Sequence, residues 1–255
     1  MPIANLEYVD RALSLVEQAK EQGVALRILG SLAYRLHCPA NLHLFDEMQR
    51  DLTDVDFAAR GDDRKAIRSF LEALGYRVDQ DLLVAAEGAR YFFTDPGSGM
   101  GVDVFFDELF FCHPIPLKDR LELDYPTITL ADLVLEKMQI VELNPKDIKD
   151  SLVLLLEHPL ESGEPEGIDA VYIAKILAND WGFYYTVTTN LGKLHRLGAE
   201  YGSLTESQWE IVDARISDLE RMLEQEPKTR RWKLRARIGN RVKWYQEVAE
   251  KSATY

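Results

Sequence analysis

Two aspartates separated by one residue, Asp54 and Asp56 in the run Thr53-Asp54-Val55-Asp56-Phe57, are the first groups in this chain whose type and spacing suggest chemistry. Side chains on a strand alternate between faces, so both carboxylates are expected to point the same way while Val55 and Phe57 pack behind them. Two like charges so close repel unless a cation sits between them, which makes the pair a candidate site for a divalent metal. Solvated strand edges also produce Asp-x-Asp, and a third acid changes the expectation. Asp103 is the one charge in the apolar run Gly101-Val102-Asp103-Val104-Phe105-Phe106, and a charge there is costly unless paired or bound to metal. Three acids on neighbouring strands point to two-metal phosphoryl transfer.

A phosphate cradle is expected upstream. The apolar run Val24-Ala25-Leu26-Arg27-Ile28-Leu29 ends at Gly30-Ser31 and is followed by the helical pattern Leu32-Ala33-Tyr34-Arg35-Leu36, as for a buried strand turning sharply into a helix. Backbone amides at such a turn attract phosphate.

The elements that must position these groups follow from periodicity and breakers. Leu6, Val9, Leu13 and Val16 predict an amphipathic helix over 6–19 that covers the sheet and ends before Gly23. Residues 38–50, with Pro39, Asn41, His43 and Asp46, are expected to form an irregular connection within reach of substrate. Gly61-Asp62-Asp63 reads as a turn and N-cap for a helix over 64–74, stopped by Gly75. Short strand-like runs at 77–78, 82–86, 91–94 and 102–106, separated by turns such as Asp95-Pro96-Gly97-Ser98-Gly99, predict a mixed sheet with hairpins.

Thr129 caps a predicted helix over 130–141, which Asn144-Pro145 breaks, and a second helix from Lys146 turns Leu152, Val153, Leu155 and Leu156 toward a core. The polar run Glu161-Ser162-Gly163-Glu164-Pro165-Glu166-Gly167 is the expected linker between domains at 1–160 and 161–255. Helices are predicted beyond it over 168–178, 181–197, 206–224 and 230–249. The expected fold class is therefore α+β: a mixed β-sheet flanked by helices, then a helical C-terminal domain.

Composition bounds the function. With 255 residues and 46% apolar content, the chain can bury a catalytic core and a helical companion. No apolar run reaches the roughly 20 residues that span a bilayer, and the first residues carry no signal pattern. A soluble, cytoplasmic protein with no membrane partner is expected. Cys38 and Cys112 lie in unrelated segments, and His37, His43, His113, His158 and His195 have no zinc-like spacing, so neither disulfide nor zinc is expected. A net charge of −13 argues against a whole-surface nucleic-acid binder. A local basic run nevertheless holds Lys228, Arg230, Arg231, Lys233, Arg235, Arg237, Arg241 and Lys243, interleaved with Trp232 and Trp244. Either a solvated helix face or contact with phosphate or RNA is expected there.

Together these motifs resemble the nucleotidyltransferase superfamily that includes DNA polymerase beta, and within it the AbiEii-type toxins of bacterial abortive-infection and toxin–antitoxin systems. Gly30-Ser31 is similar to the family's Gly-Gly or Gly-Ser turn, and Arg50 through Thr53-Asp54-Val55-Asp56-Phe57 to its acidic pair after an Arg and a Thr. Asp132-Leu133-Val134-Leu135-Glu136-Lys137 resembles its Asp-Leu-x-x-x-Lys helix, and Lys146-Asp147-Ile148-Lys149-Asp150 its following Arg-Asp-x-x-Asp, with Lys146 replacing an Arg. The likeness covers residues 24–156.

The resemblance implies a nucleotidyltransferase-like sheet and transfer of a nucleoside monophosphate from a nucleoside triphosphate such as ATP to an acceptor hydroxyl on RNA or tRNA, protein or a small molecule. Asp54, Asp56 and Asp103 would be catalytic metal ligands for Mg²⁺ or Mn²⁺. Gly30 and Ser31 would bind the nucleotide phosphates, with Lys137 as a catalytic, phosphate-binding cation that Asp147 or Asp150 orients. A role in a toxin–antitoxin or phage-defence system, with an antitoxin-like protein partner, is implied as well. Two rivals are a non-catalytic nucleotide- or RNA-binding module on the same fold and a glycosyltransferase that uses Asp-x-Asp to hold a sugar nucleotide.

Overall fold

An apolar stripe at Ala12, Leu15, Val16 and Ala19 gives the first helix, α1 (Ile3–Glu21), one fully buried face, as the spacing i, i+3, i+4, i+7 requires. The computed structural model describes residues 3–163, 167–201 and 203–247. After α1 the chain enters β1 (Leu26–Leu29), buried along its whole length, and passes into α2 (Gly30–His37) with no intervening loop.

Residues 38–50 depart from the expected irregular connection. A 3₁₀ turn at Pro39–Asn41 leads into α3 (Leu42–Glu47). Pro39 occupies the first turn, where its missing N–H costs nothing, and burial of Leu44, Phe45 and Met48 draws the short helix into the core. Next come β2 (Asp54–Ala59), α4 (Arg64–Ala73) and β3 (Arg77–Val78). The strand expected at 82–86 is instead a helix, α5 (Gln80–Ala85), because the Asp79 carboxylate accepts the backbone N–H groups of Asp81 and Leu82 at 3.0 Å each. That N-cap outweighs the strand propensity of a short apolar run.

The antiparallel pair β4 (Arg90–Thr94) and β5 (Gly101–Phe106) turns at the predicted Asp95–Gly99 site. The five-stranded sheet has the order β1-β2-β5-β4-β3, with β2 and β5 parallel and the other neighbours antiparallel. Its β1 edge is covered rather than open: the Ile28 N–H donates to Pro126 O and the Ile128 N–H to Ile28 O, both at 3.0 Å. A small hairpin, β6 (Glu108–Phe110) and β7 (Pro114–Pro116), comes after the sheet.

Two helices packed on α2 follow, α6 (Leu130–Met138) and α7 (Pro145–Glu157). Thr129 caps α6 as expected: it is fully buried, its Oγ1 accepts the Asp132 N–H at 3.2 Å and donates to Asp132 Oδ2 at 2.8 Å, and Arg120 adds a hydrogen bond at 3.0 Å. Asn144 closes a capping box with Asp147, which admits Pro145 as the first residue of α7.

The linker region keeps a trace of order, a parallel pairing of β8 (Leu160–Glu161) with β9 (Ile168–Asp169), while Glu164, Pro165 and Glu166 lie outside the described residues. The remainder is helical: α8 (Ala170–Leu177), α9 (Trp181–Leu197), α10 (Glu206–Gln225) and α11 (Arg230–Ile238). The last is shorter than expected because Gly239 takes φ 64° and ends it, and Val248 and Ala249 of the predicted helix lie outside the described residues. α10 packs on α7, and α6 packs on α8 and α9, so one apolar core runs from Ala12 to Leu223 across both parts of the chain. Among the described residues no helix is long and apolar enough to cross a membrane.

Replacing Thr129 with Ala removes the α6 cap and the hydroxyl that donates to the buried Asp132 carboxylate, leaving it to Arg120. A loss of about 1–2 kcal/mol in urea unfolding is expected, largely restored by Thr129→Ser.

Candidate active site

Asp56 is the centre of the arrangement. On β2 it pairs with Leu29 of β1 on one side and Asp103 of β5 on the other. In-register residues share a face, so Asp54, Asp56 and Asp103 stand together, while Val55 and Phe57 are fully buried on the opposite face, as expected. Where β1 becomes α2, Gly30 takes φ 71°, and a Cβ there would overlap Asp56 Oδ2. Glycine is thus required twice, by a left-handed backbone and by the carboxylate pressed against it.

The other half of the site comes from α6 and α7. Glu136 and Lys137 lie near the C-terminal end of α6, and Asp147 and Asp150 lie one turn apart on α7. The Lys137 Nζ sits 3.5 Å from Glu136, 3.5 Å from Asp147 and 3.4 Å from Asp150. Asp150 is fully buried and accepts both arms of Arg50, at 2.9 Å each, the bidentate geometry that distinguishes Arg from Lys. Glu136 turns to the start of α2, where its Oε2 accepts the Gly30 N–H at 3.1 Å. The amide expected to cradle phosphate therefore already holds an anion, as the positive end of a helix favours.

Asp103 is 1% exposed and its carboxylate is held by Arg90, Oδ1 at 3.0 Å from Nε and Oδ2 by Nη2. Asp54 accepts the neighbouring Thr53 hydroxyl, at 3.1 Å, and among the described residues no donor contacts the Asp56 carboxylate. Asp54, Asp56, Asp103, Glu136, Asp147 and Asp150 thus face three cations, Arg50, Arg90 and Lys137.

Protonation follows that imbalance. Burial, then the charges of Asp54, Asp103 and Glu136, push the Asp56 carboxyl well above the usual range. Burial also raises Glu136, against the pull of Lys137 and the Gly30 amide. For Lys137, burial alone would lower the ammonium, but Glu136, Asp150 and Asp147 reverse this and hold it above the ordinary lysine value.

The donor set fits a hard divalent cation. Two oxygen-bearing side chains on one strand, unneutralised and open, are what Mg²⁺ uses when the remaining ligands are water and substrate phosphate. Among the described residues no three His, Cys, Asp or Glu side chains form a ready metal cage.

Asp56, Glu136, Lys137 and Asp147 line one cleft of about 510 Å³ together with the apolar Phe105, Phe111, Ile140, Val141 and Tyr245 and the polar Glu142, Asn144 and Glu247. Gly30 and Ser31 lie just behind Leu29 at its floor, Asp54 lies two residues along β2 from Asp56, and Asp103 and Asp150 are buried behind the surface. Sequence reasoning misses three functional groups. Glu136 and Arg50 read there only as motif residues, and Arg90 carries no sequence signal, since its role depends on the β4–β5 register. The histidines sit apart: burial holds His37 and His113 down to about 4, each beside a threonine hydroxyl. Comparison with protein-family models and with curated protein sequences returned no match.

Because Asp56 is raised in the folded state, its ionisation opposes folding. The penalty is absent at low pH, appears as pH rises through the unfolded carboxylate range near about 3.9, and is complete above the folded-state value. Asp56→Asn is therefore expected to raise the melting temperature at pH 7 and to leave it nearly unchanged at pH 3, as calorimetry would register. Arg50→Ala leaves the buried Asp150 with Lys137 alone and is expected to cost about 3–5 kcal/mol in chemical denaturation.

Proposed function

We propose that this chain is a metal-dependent nucleotidyltransferase, moving a nucleoside monophosphate from a nucleoside triphosphate to an acceptor hydroxyl. The observation that carries the reading is the convergence in one cleft of Asp56, pressed against the Gly30 turn, with Lys137 across from it. A nucleophilic oxygen attacks the α-phosphorus, the bond to the β-phosphate oxygen breaks, and pyrophosphate leaves with its negative charge. Mg²⁺ or Mn²⁺, when bound, supplies charge neutralisation for the phosphates and acidifies the attacking hydroxyl.

The chain's own residues divide the remaining work. Asp54 and Asp56 would hold the cation, beside Asp103, whose carboxylate is paired with Arg90. Lys137 stays charged at neutral pH and offers its ammonium to the triphosphate, held in place by Asp147 and Asp150. Displacing Glu136 from the Gly30 amide exchanges one anion for another at the start of α2, with Ser31 adjacent.

For the acceptor, a second cleft of about 580 Å³ supports RNA. Arg231, Arg235 and Lys243 line it with Trp181, Trp232 and Trp244, a basic and aromatic mixture suited to an unpaired strand. Lys228 and Arg235 are partly committed, donating to carbonyls of Glu226 and Val242 at 2.6 and 2.8 Å. Lys243 is paired with Glu247, so Arg231 carries more of the phosphate contact.

Incubation with α-labelled nucleoside triphosphates, Mg²⁺ and total RNA is expected to label RNA. The Asp54→Ala/Asp56→Ala double variant is expected to lose about 100-fold or more of that labelling. Equal labelling by the variant, or thermal stabilisation by UDP-sugars alone, defeats the proposal.

A further inference from the structure

The segment after α11 returns to the catalytic cleft. Gly239, at φ 64°, releases the chain from the helix, and residues 242–247 then run back across α9. Arg235 fastens the turn by donating to the carbonyls of Gly239 at 2.6 Å and Val242 at 2.8 Å. Trp244 fastens the strap itself: its Nε1 donates to Thr186 Oγ1 at 3.0 Å, and its ring meets that of Tyr185 edge to face, centroids 5.1 Å apart. Gly182 of α9 permits this, since a Cβ there would strike the Trp244 carbonyl oxygen. Beyond, the Gln246 N–H donates to Cys112 O at 3.1 Å.

Tyr245 is held between those two anchors, half-buried, and lines the cleft that contains Asp56 and Lys137. The Lys243 Nζ lies 5.2 Å from the centroid of its ring, and Lys243 lines the second cleft but not the first. Tyr245 itself lines both clefts, and its ring also meets that of Trp244 edge to face, centroids 5.2 Å apart.

We propose that Tyr245 is the stacking platform for the nucleobase of the triphosphate, carried to the site by the 242–247 strap; this rests on the nucleotidyltransfer reading. The cleft lining combines ionic groups, Asp56, Glu136, Lys137 and Asp147, that suit the phosphates with apolar groups, Phe111, Ile140, Val141 and Tyr245, that suit a flat ring, and it also includes Glu142 and Glu247. With the strap in place about 510 Å³ is still open, within the several-hundred Å³ of small-ligand sites. The strap therefore walls the cleft and does not plug it. A ring fixed on both sides loses little freedom when a base stacks on it, and the stacking energy then appears as affinity.

Binding to the full chain with Mg²⁺ tests this, using an ATP analogue with a non-cleavable α,β-methylene bridge and, separately, inorganic tripolyphosphate. Tyr245→Ala is expected to weaken the analogue about tenfold or more while leaving tripolyphosphate unchanged, and Tyr245→Phe and Tyr245→Trp are expected to bind the analogue as the natural chain does. Analogue binding by Tyr245→Ala at natural strength, or tighter as for a strap that obstructs, overturns the platform and leaves nucleotidyl transfer standing. An equal loss for tripolyphosphate assigns Tyr245 to the shape of the cleft and also overturns it. If the natural chain binds neither probe, the nucleotidyltransfer reading fails and the platform falls with it.

Discussion

The ammonium of Lys137, enclosed by Glu136, Asp147 and Asp150, is the interaction on which the rest of the site depends. Each carboxylate reaches a different part of the fold. Glu136 ties α6 to the first amide of α2, Asp147 closes the capping box of α7, and Asp150 holds Arg50 in the segment just before β2. A buried lysine with one acid would be a costly ion pair of little net value. With three acids, each having a second partner, the charge joins two helices, a helix start and a strand entry into one unit. That unit positions Asp54 and Asp56, which enter the sheet shortly after Arg50.

The sheet contributes a constraint of a different kind. Antiparallel pairing of β1 with β2 sets Leu29 opposite Asp56, so the residue after Leu29 must lie beside that carboxylate. Parallel pairing of β2 with β5 sets Asp103 on its other flank. A one-residue slip would turn Asp56 into the core and Val55 or Phe57 into the cleft. The fully buried Val55 and Phe57 prevent it. Packing on the hidden face of β2 therefore determines the register of the ionic face.

Signals of short range are legible in the sequence, and those that depend on pairing between distant segments are not. The strand running into a helix at Gly30, the cap at Thr129 and the alternation through Asp54–Phe57 are each contained in a few neighbouring residues. The segment at 82–86 misleads because its apolar residues suggest a strand, whereas the Asp79 carboxylate just upstream caps a helix. Residues 38–50 mislead because Pro39 and Asn41 suggest a loop, whereas Leu44, Phe45 and Met48 find a core visible only once α7 is in place. Arg90 is illegible for the same reason: it meets Asp103 only through a hairpin register. The family resemblance implies an association of Lys137 with Asp147 or Asp150, but nothing local shows that Arg50 shares Asp150.

The electrostatics of the cleft and its shape make the same demand. Six acids around three cations leave an excess of negative charge that the folded chain tolerates only by raising the carboxyl groups of Asp56 and Glu136. Such a surplus opposes stability and is retained where a positively charged ligand offsets it. An isolated triphosphate would be repelled by the same acids, so anion and cation must enter as neutralising partners. Lys137 is already saturated with carboxylates, and the Gly30 amide already holds Glu136. On the proposed reading, the phosphates of a nucleotide would have to compete for donors that are in use, and their own charge would give little net attraction. Under the proposed reading the uncharged part of the ligand would decide residence in the cleft, and the surfaces on which it would gain are Phe111, Ile140, Val141 and Tyr245.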